Sequence, residues 1–314
     1  MSSSIVTLTM NPAIDVHTAV GQVLPNRKLR CSGSLREAGG GGVNVARVVR
    51  RLGDEATAIV PVGGISGRRL IELLASEGIE TRTIPIAGET RETFTVSETG
   101  SGNQFRFVTE GPNLQESEWQ AALDAIRSLR PVPAMLVASG SLPRGAPEDF
   151  YGRLSAIASD IGFRLIVDTS GVPLRHAVGP GTFLLKPNLA EFRDLTGGEA
   201  FSDLFLEGAA MALVATGKTK AVVISMGAAG AIYASEGGVR RIAAPTVRVE
   251  SRVGAGDSMV GGIVVGLSRG LSFDDAVMFG VASGSAAVMT AGTQLCRRED
   301  AEHLFNEMRS RKSA

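Results

Sequence analysis

The sequence predicts an α/β fold, a mostly parallel sheet with helices on both faces, and three observations lead there. From Glu116 to Ser225 strand-like apolar runs alternate with helical stretches, the pattern of repeated βα units. Polar and glycine-rich stretches stand at the carboxyl ends of those runs, where open α/β sheets bind ligands: Ser139-Gly140-Ser141, Asp168-Thr169-Ser170, Lys186-Pro187-Asn188 and Ser225-Met226-Gly227. Between Thr83 and Val108 the helices disappear and short period-two strands replace them, which marks a small sheet beside the main body.

Taken in order, Ile5 to Met10 alternate like a strand and stop at Asn11-Pro12, a turn signal, with Asp15 just beyond. Strand-like pieces flank Pro25 between Val16 and Cys31 and carry the basic cluster Arg27, Lys28 and Arg30. Gly39-Gly40-Gly41-Gly42 then leads into a helix over Val43 to Leu52, with Val45, Val49 and Leu52 at helical spacing and Gly53 as the stop. Thr57 to Val62 reads as a buried strand, and the next helix turns Leu70, Leu73 and Leu74 inward until Gly78. TIPI, TFTVSE and NQFRFV are the strands of the all-β block, with TGSGN (Thr99 to Asn103) as a hairpin turn and Arg91 and Arg106 on board. Beyond it we expect a helix with Trp119, Leu123, Ile126 and Leu129, a strand Ala134 to Ala138, a helix after Pro147 and a strand Phe163 to Val167. A short strand ending in LLKPN, a helix Leu206 to Thr216 and a strand Ala221 to Ser225 follow.

At 314 residues and 44% hydrophobic content the chain can bury a full core, and no repeat, low-complexity tract or linker divides it. A formal net charge of zero offers no electrostatic footprint for nucleic acid or an anionic membrane. Cys31 and Cys296 form neither a C-x-x-C pair nor a disulfide framework, which fits a reducing compartment. The first residues, MSSSIVTLTMNP, carry no basic region and only a short apolar run, so we expect a cytoplasmic protein without a signal peptide or spanning helix.

The stretch with the most chemistry is RVGAGDSM, Arg252 to Met259. Gly254 and Gly256 flank Ala255 ahead of an apolar small-residue run, the pattern of a tight turn that delivers backbone N–H groups to a helix N-terminus and binds an anion. Asp257 is the odd residue there, because a carboxylate repels a phosphate. Two readings stand side by side: an N-cap for the helix, or a general base taking a proton from a hydroxyl that attacks a phosphoryl group held on those amides.

GGGGVNVARVVRRLG (Gly39 to Gly53), KPNLAE (Lys186 to Glu191) and VGAGDSMVGG (Val253 to Gly262), in this order, make the whole chain resemble the PfkB or ribokinase family of sugar kinases. Fructose-1-phosphate and tagatose-6-phosphate kinases of that family usually have lysine where this chain has Gly41. That glycine, with the GSLPRG and GTQLC segments, is most similar to the minor type of 6-phosphofructokinase within the family. The resemblance implies a ribokinase-like three-layer α/β/α domain over 1–314, with a β lid from about 14–36 and 83–108 that often doubles as a dimer interface. It implies ATP-dependent phosphorylation of a ketohexose monophosphate, most simply fructose-6-phosphate, with tagatose-6-phosphate or fructose-1-phosphate as the alternative acceptor. A sugar-phosphate-binding regulator that has lost catalysis is the reading from another class, and retention of Asp257 speaks against it.

Carried over residue by residue, the resemblance makes Asp257 the base and gives the N–H groups of Gly254, Ala255 and Gly256 to the transferred phosphoryl. Asn188 and Glu191 would help to place magnesium through water, since that ion dehydrates reluctantly and one carboxylate plus phosphates commonly suffices. Lys186 and the turn with Ser225, Gly227 and Gly230 would line the ATP site. Asp15, Gly39, Gly40 and Asn44 match sugar-binding positions, and Ser141 lies at a strand end beside them. For the acceptor's own phosphate the basic candidates are Lys28, Arg91 and Arg106, the two arginines converging from neighbouring strands. Arg252 stands where the family more often has threonine, in a loop that binds a monovalent cation in many members, and its guanidinium argues against potassium activation.

Overall fold

The computed structural model describes residues 4–197, 203–290 and 294–313. Its first strand, β1 (Ile5–Leu8), is buried along its whole length, and the chain then rises out of the body as β2 (Ala13–Val20) and returns as β3 (Ser32–Gly39). Helix α1 (Gly41–Arg51) starts directly after, followed by β4 (Ala56–Val62), α2 (Gly64–Ser76) and β5 (Glu80–Pro85). A second excursion forms β6 (Arg91–Glu98) and β7 (Gln104–Val108). Regular alternation resumes with α3 (Glu116–Arg127), β8 (Met135–Ser139), α4 (Phe150–Ile161), β9 (Arg164–Asp168), α5 (Gly171–Ala177) and β10 (Thr182–Leu185). Then come α6 (Leu189–Thr196), α7 (Asp203–Ala215), β11 (Thr219–Ser225), and an antiparallel hairpin of β12 (Ala231–Ser235) and β13 (Gly238–Ile242). Helices α8 (Ala255–Ser268), α9 (Phe273–Val288) and α10 (Arg298–Ser313) complete the described chain.

The large sheet has the order β13-β12-β11-β10-β9-β8-β1-β4-β5, parallel from β11 to β5. Its central strands are apolar on both faces because both are covered. Met135 and Val137 look toward a core shared with α1, α8, α9 and α10, while Leu136 and Ala138 look toward α3, α4 and α5. This is the expected three-layer α/β/α body. Helices α8 and α9 run hydrophobic all round because they are buried, with Val260, Ile263, Val264, Val277 and Ala282 fully covered.

The second sheet, β3-β2-β6-β7, is built from the excursions that leave the large one after β1 and β5. It corrects the expected lid boundaries. TIPI belongs to β5, which pairs parallel with β4 at the edge of the large sheet (Ile84↔Pro61), so the lid's second half begins at Arg91 rather than Thr83. An alternating run suits the edge of either sheet equally; helix α2 before it makes a βαβ crossover, and that carries it back to the body. The first half spans Ala13 to Gly39, with residues 21–31 as the exposed connection. Helix α5 and the β12–β13 hairpin were not expected.

Candidate active site

The functional candidates of the body follow the carboxyl ends of β8, β9, β10 and β11 or stand at the starts of α1 and α8, while Asp15, Lys28, Arg91 and Arg106 are on the lid. The glycine run closes one side. Gly40 is the N-cap of α1 at φ 106°, a conformation that a side chain resists, and a Cβ on Gly39, Gly41 or Gly42 would collide with Asp15, Ser139 or the Leu8 carbonyl. These glycines therefore seat α1 directly on the strand ends, and close backbone approach rather than flexibility is their local purpose.

Asn44, in the first turn of α1, donates from Nδ2 to Asp257 Oδ2 at 2.8 Å, a bond across 213 residues that joins the two glycine motifs. The N-cap of α8 is Gly254 (φ 76°), and Asp257 lies three residues further on with no capping bond, so the N-cap reading of Asp257 fails. The first-turn amides of α8, including those of Ala255 and Gly256, have no acceptor within the helix, and the Asp257 carboxylate stands in the same turn. Burial is the largest influence on Asp257, the Asp168 charge adds to it, and the Asn44 bond and Lys186 oppose them; the pKa ends at about 7.

Lys186 follows β10 and is 4% exposed; its ammonium meets Asp168 Oδ1 at 3.2 Å. Burial works against its proton, but Asp168, then Glu191 and Asp257, hold it, and its pKa sits above the ordinary lysine value. Burial in turn raises Asp168, against the pull of Lys186. The Lys186 Nζ comes within 3.8 Å of where a Cβ on Gly256 would stand, so the cation lies beneath the anion turn. Asp168 was expected only as part of a polar strand end; its partner stands on the neighbouring strand, which no local signal reveals.

Asn188 and Glu191 form a capping box on α6. Asn188 Oδ1 accepts from Glu191 N at 2.9 Å and Glu191 Oε2 accepts from Asn188 N at 2.7 Å. The second oxygen of Glu191 stays outside the box, and burial raises the pKa of this carboxyl. Among the described residues no group of three or more His, Cys, Asp or Glu converges as a metal centre. The one Glu191 oxygen outside the box fits what magnesium asks of a protein, one or two carboxylates with its other positions left to water and phosphate. Ser225 ends β11 and bridges to Asn188; Gly227 and Gly230 take positive φ in the tight turn that follows, where Met226 N donates to Gly230 O at 2.8 Å.

On the lid, Asp15, Thr93, His17 and Arg106 share one face, and Asp15 Oδ1 accepts from the Thr93 hydroxyl. Arg91 shares that face but is tied to the body, donating to Asn11 O (3.0 Å from Nη2) and Thr109 O (3.1 Å). Arg106 pairs with Thr95, four residues further out, or about 13 Å along the strand at ~3.3 Å per residue. The two arginines are on one face but are not brought together, which corrects the expected convergence. Lys28 is exposed in the connection between β2 and β3, at the far end from the glycine run. Ser141 Oγ accepts from Asn11 Nδ2 at 3.4 Å. Asn11, expected only as a turn residue, is thus a second residue missed: its Oδ1 is buried without a partner among the described residues. Gly292 and Thr293 of the GTQLC segment lie outside the described residues.

The sequence pattern of the pfkB family carbohydrate kinase matches residues 5–300. The chain is 44% identical over 301 residues to the ATP-dependent 6-phosphofructokinase isozyme 2 of Mycobacterium tuberculosis, covering 96% of this chain and 88% of that one. It is 32% identical to the 1-phosphofructokinase of Borreliella burgdorferi over 97% of both chains. Phosphofructokinase-2 from Escherichia coli, solved in complex with potassium, superposes with a TM-score of 0.93 at 38% identity over 98% of this chain and 99% of that one. The same enzyme in complex with fructose-6-phosphate superposes at 0.92.

Proposed function

Because this chain belongs to the pfkB family of carbohydrate kinases, we propose that it transfers the terminal phosphoryl group of ATP to fructose-6-phosphate, giving fructose-1,6-bisphosphate. The observation that carries the reading is the Asn44–Asp257 bond, which puts a carboxylate of pKa about 7 beside the free amides of α8. Asp257 takes the proton of the sugar's free primary hydroxyl, and that oxygen attacks phosphorus. The bond from phosphorus to the bridging oxygen breaks, and ADP leaves with its electron pair. The amides of Gly254, Ala255 and Gly256 and the Lys186 ammonium stabilise charge on the phosphoryl in transit. Asp168 keeps that ammonium protonated and in place.

Asp15, Gly39, Gly40, Asn44 and Ser141 hold the sugar, and Ser225, Gly227, Gly230 and Asn188 line the nucleotide. Magnesium bound with the nucleotide would neutralise phosphate charge; the free Glu191 oxygen, through water, would hold it. Arg252, exposed and two residues before Gly254, sets a cation against potassium there, which weakens any activation by that ion while backbone carbonyls could still hold it. The acceptor's phosphate is assigned to Arg91, at the base of the lid on its cleft face, while Arg106 and Lys28 stand further out. Phe94, Phe105 and Phe107, exposed together on the lid's other face, are assigned to the lid of a second copy. No helix among the described residues is long and apolar enough to cross a membrane, in keeping with a cytoplasmic place of work.

A coupled ADP-release assay with fructose-6-phosphate, tagatose-6-phosphate, fructose-1-phosphate and free fructose tests the reading. The highest kcat/KM is expected with fructose-6-phosphate. A higher value with either other phosphosugar moves the acceptor, and no ADP release with any of them leaves a sugar-phosphate-binding regulator.

A further inference from the structure

Arg47 is a buried guanidinium that phosphoryl transfer does not use. It lies on α1, three residues after Asn44, with its side chain 4% exposed. It reaches three residues on two other elements at once. Its Nε faces both carboxylate oxygens of Glu77, just past α2, at 2.8 and 2.9 Å. Its Nη2 meets Glu37 Oε1 at 2.9 Å, and its Nη1 donates to Ala38 O at 2.8 Å. Glu37 and Ala38 are the last lid residues before Gly39. A rigid planar fork can serve acceptors that diverge in this way, and an ammonium on a flexible stem cannot.

The strand register shows what the fork holds. In the lid, Asp15 pairs with Glu37, Ile14 with Ala38 and Ala13 with Gly39. The residue we assign to the acceptor's hydroxyls therefore hangs on the rung that Arg47 grips. Ile14, Val16 and Ala38 pack with Ala46, Leu70 and Leu74 of the body, whereas Ser32 to Leu35 are exposed. The base of the lid thus belongs mechanically to α1 and α2, and only its outer part is free.

We propose that Arg47 is the pin of the lid's hinge, a positioning residue that clamps the Asp15–Glu37 rung to the body and makes the lid bend outside that rung. Its effect on the acceptor rests on the sugar-kinase reading; the clamp itself does not. Two variants test it: Arg47→Lys keeps the charge and loses the fork, and Glu37→Gln weakens only the lid-side arm, which covers the case in which the first variant does not fold.

The measurements are amide hydrogen exchange in the substrate-free protein, and separate KM values for acceptor and ATP. In Arg47→Lys, exchange across 13–17 and 35–39 is expected to speed up about tenfold while α8 is unchanged, since losing local contacts opens a local unit. The acceptor KM should rise about tenfold with the ATP KM within about twofold, the split that a lost positioning contact produces. Glu37→Gln should move both readouts in the same direction by less. Unchanged exchange at the lid base in either folded variant overturns the clamp, and so does a parallel rise of both KM values, which means general loosening. The exchange arm needs no substrate, so it decides the clamp even if no sugar is phosphorylated, and a failure of the kinase reading shows separately in the wild-type assay.

Discussion

Asp257 must be ionised to take a proton, and its surroundings make that costly below neutrality. With a pKa of about 7, raised chiefly by burial, kcat/KM should climb as pH rises through 7 and level off above it. The sign for stability is the opposite. A carboxyl whose folded pKa lies above its unfolded one favours the fold while protonated, and that contribution is lost as pH rises from about 4 to about 7. Asp257→Asn removes the base without this cost, so it should lose about 10²- to 10⁴-fold in kcat while its melting temperature at pH 8 stays equal to or above that of the parent. Near-normal turnover in this variant would sink the mechanism. Glu191 separates two roles just as cleanly, because Gln still accepts from Asn188 N and preserves the capping box. Glu191→Gln should therefore melt like the parent but need more magnesium for half-maximal rate. An unchanged magnesium titration reduces Glu191 to a helix cap.

Helices α1 and α8 bring the proposed base and the proposed sugar site together, and their packing explains why the Asn44–Asp257 bond forms. One turn below it, Val48 of α1 sits against Gly261 of α8, where a Cβ would collide with the valine side chain. Asn44 to Val48 and Asp257 to Gly261 are both four-residue steps, so the two contacts lie on facing stripes of the same helix pair. Gly261→Ala gains helix propensity, about 1 kcal/mol, but overpacks this contact at about 1–3 kcal/mol. The expected result is a small net loss of stability with a disproportionate drop in kcat, as Asn44 is levered away from Asp257. A variant with full turnover would show that α1 can shift without disturbing the base.

At the scale of the molecule, the lid offers one polar face to the cleft and one aromatic face to the outside. Phe94, Phe105 and Phe107 are 40%, 36% and 55% exposed, on adjacent paired positions of β6 and β7. Aromatic groups exposed together on one sheet face call for a cover. Phe107→Arg places a charge at the centre of that patch and should convert a dimer to a monomer in sedimentation, with the melting of the body little changed because the lid side chain touches no body core. If the sedimenting mass is unaffected, the copies meet elsewhere or not at all.

Much of this protein was legible in the chain: the βα alternation, the glycine run entering α1, the turn before α8, and the sugar-kinase class that their order indicates. Those signals are local, resting on periodicity, positive φ and orphan helix amides, which act within a few residues. The assignment of TIPI was not local, because an alternating strand suits the edge of either sheet and only the crossover through α2 decided it. The same holds for the Asp168–Lys186 pair, the wide spacing of Arg91 and Arg106, and the Arg47 clamp. Each depends on which strands are neighbours and how two helices pack, and a pairing across tens or hundreds of residues leaves no mark on the composition of either partner. The turn itself was written in the sequence; the proton affinity of Asp257 and the grip on the lid came only from what the fold buried beside them.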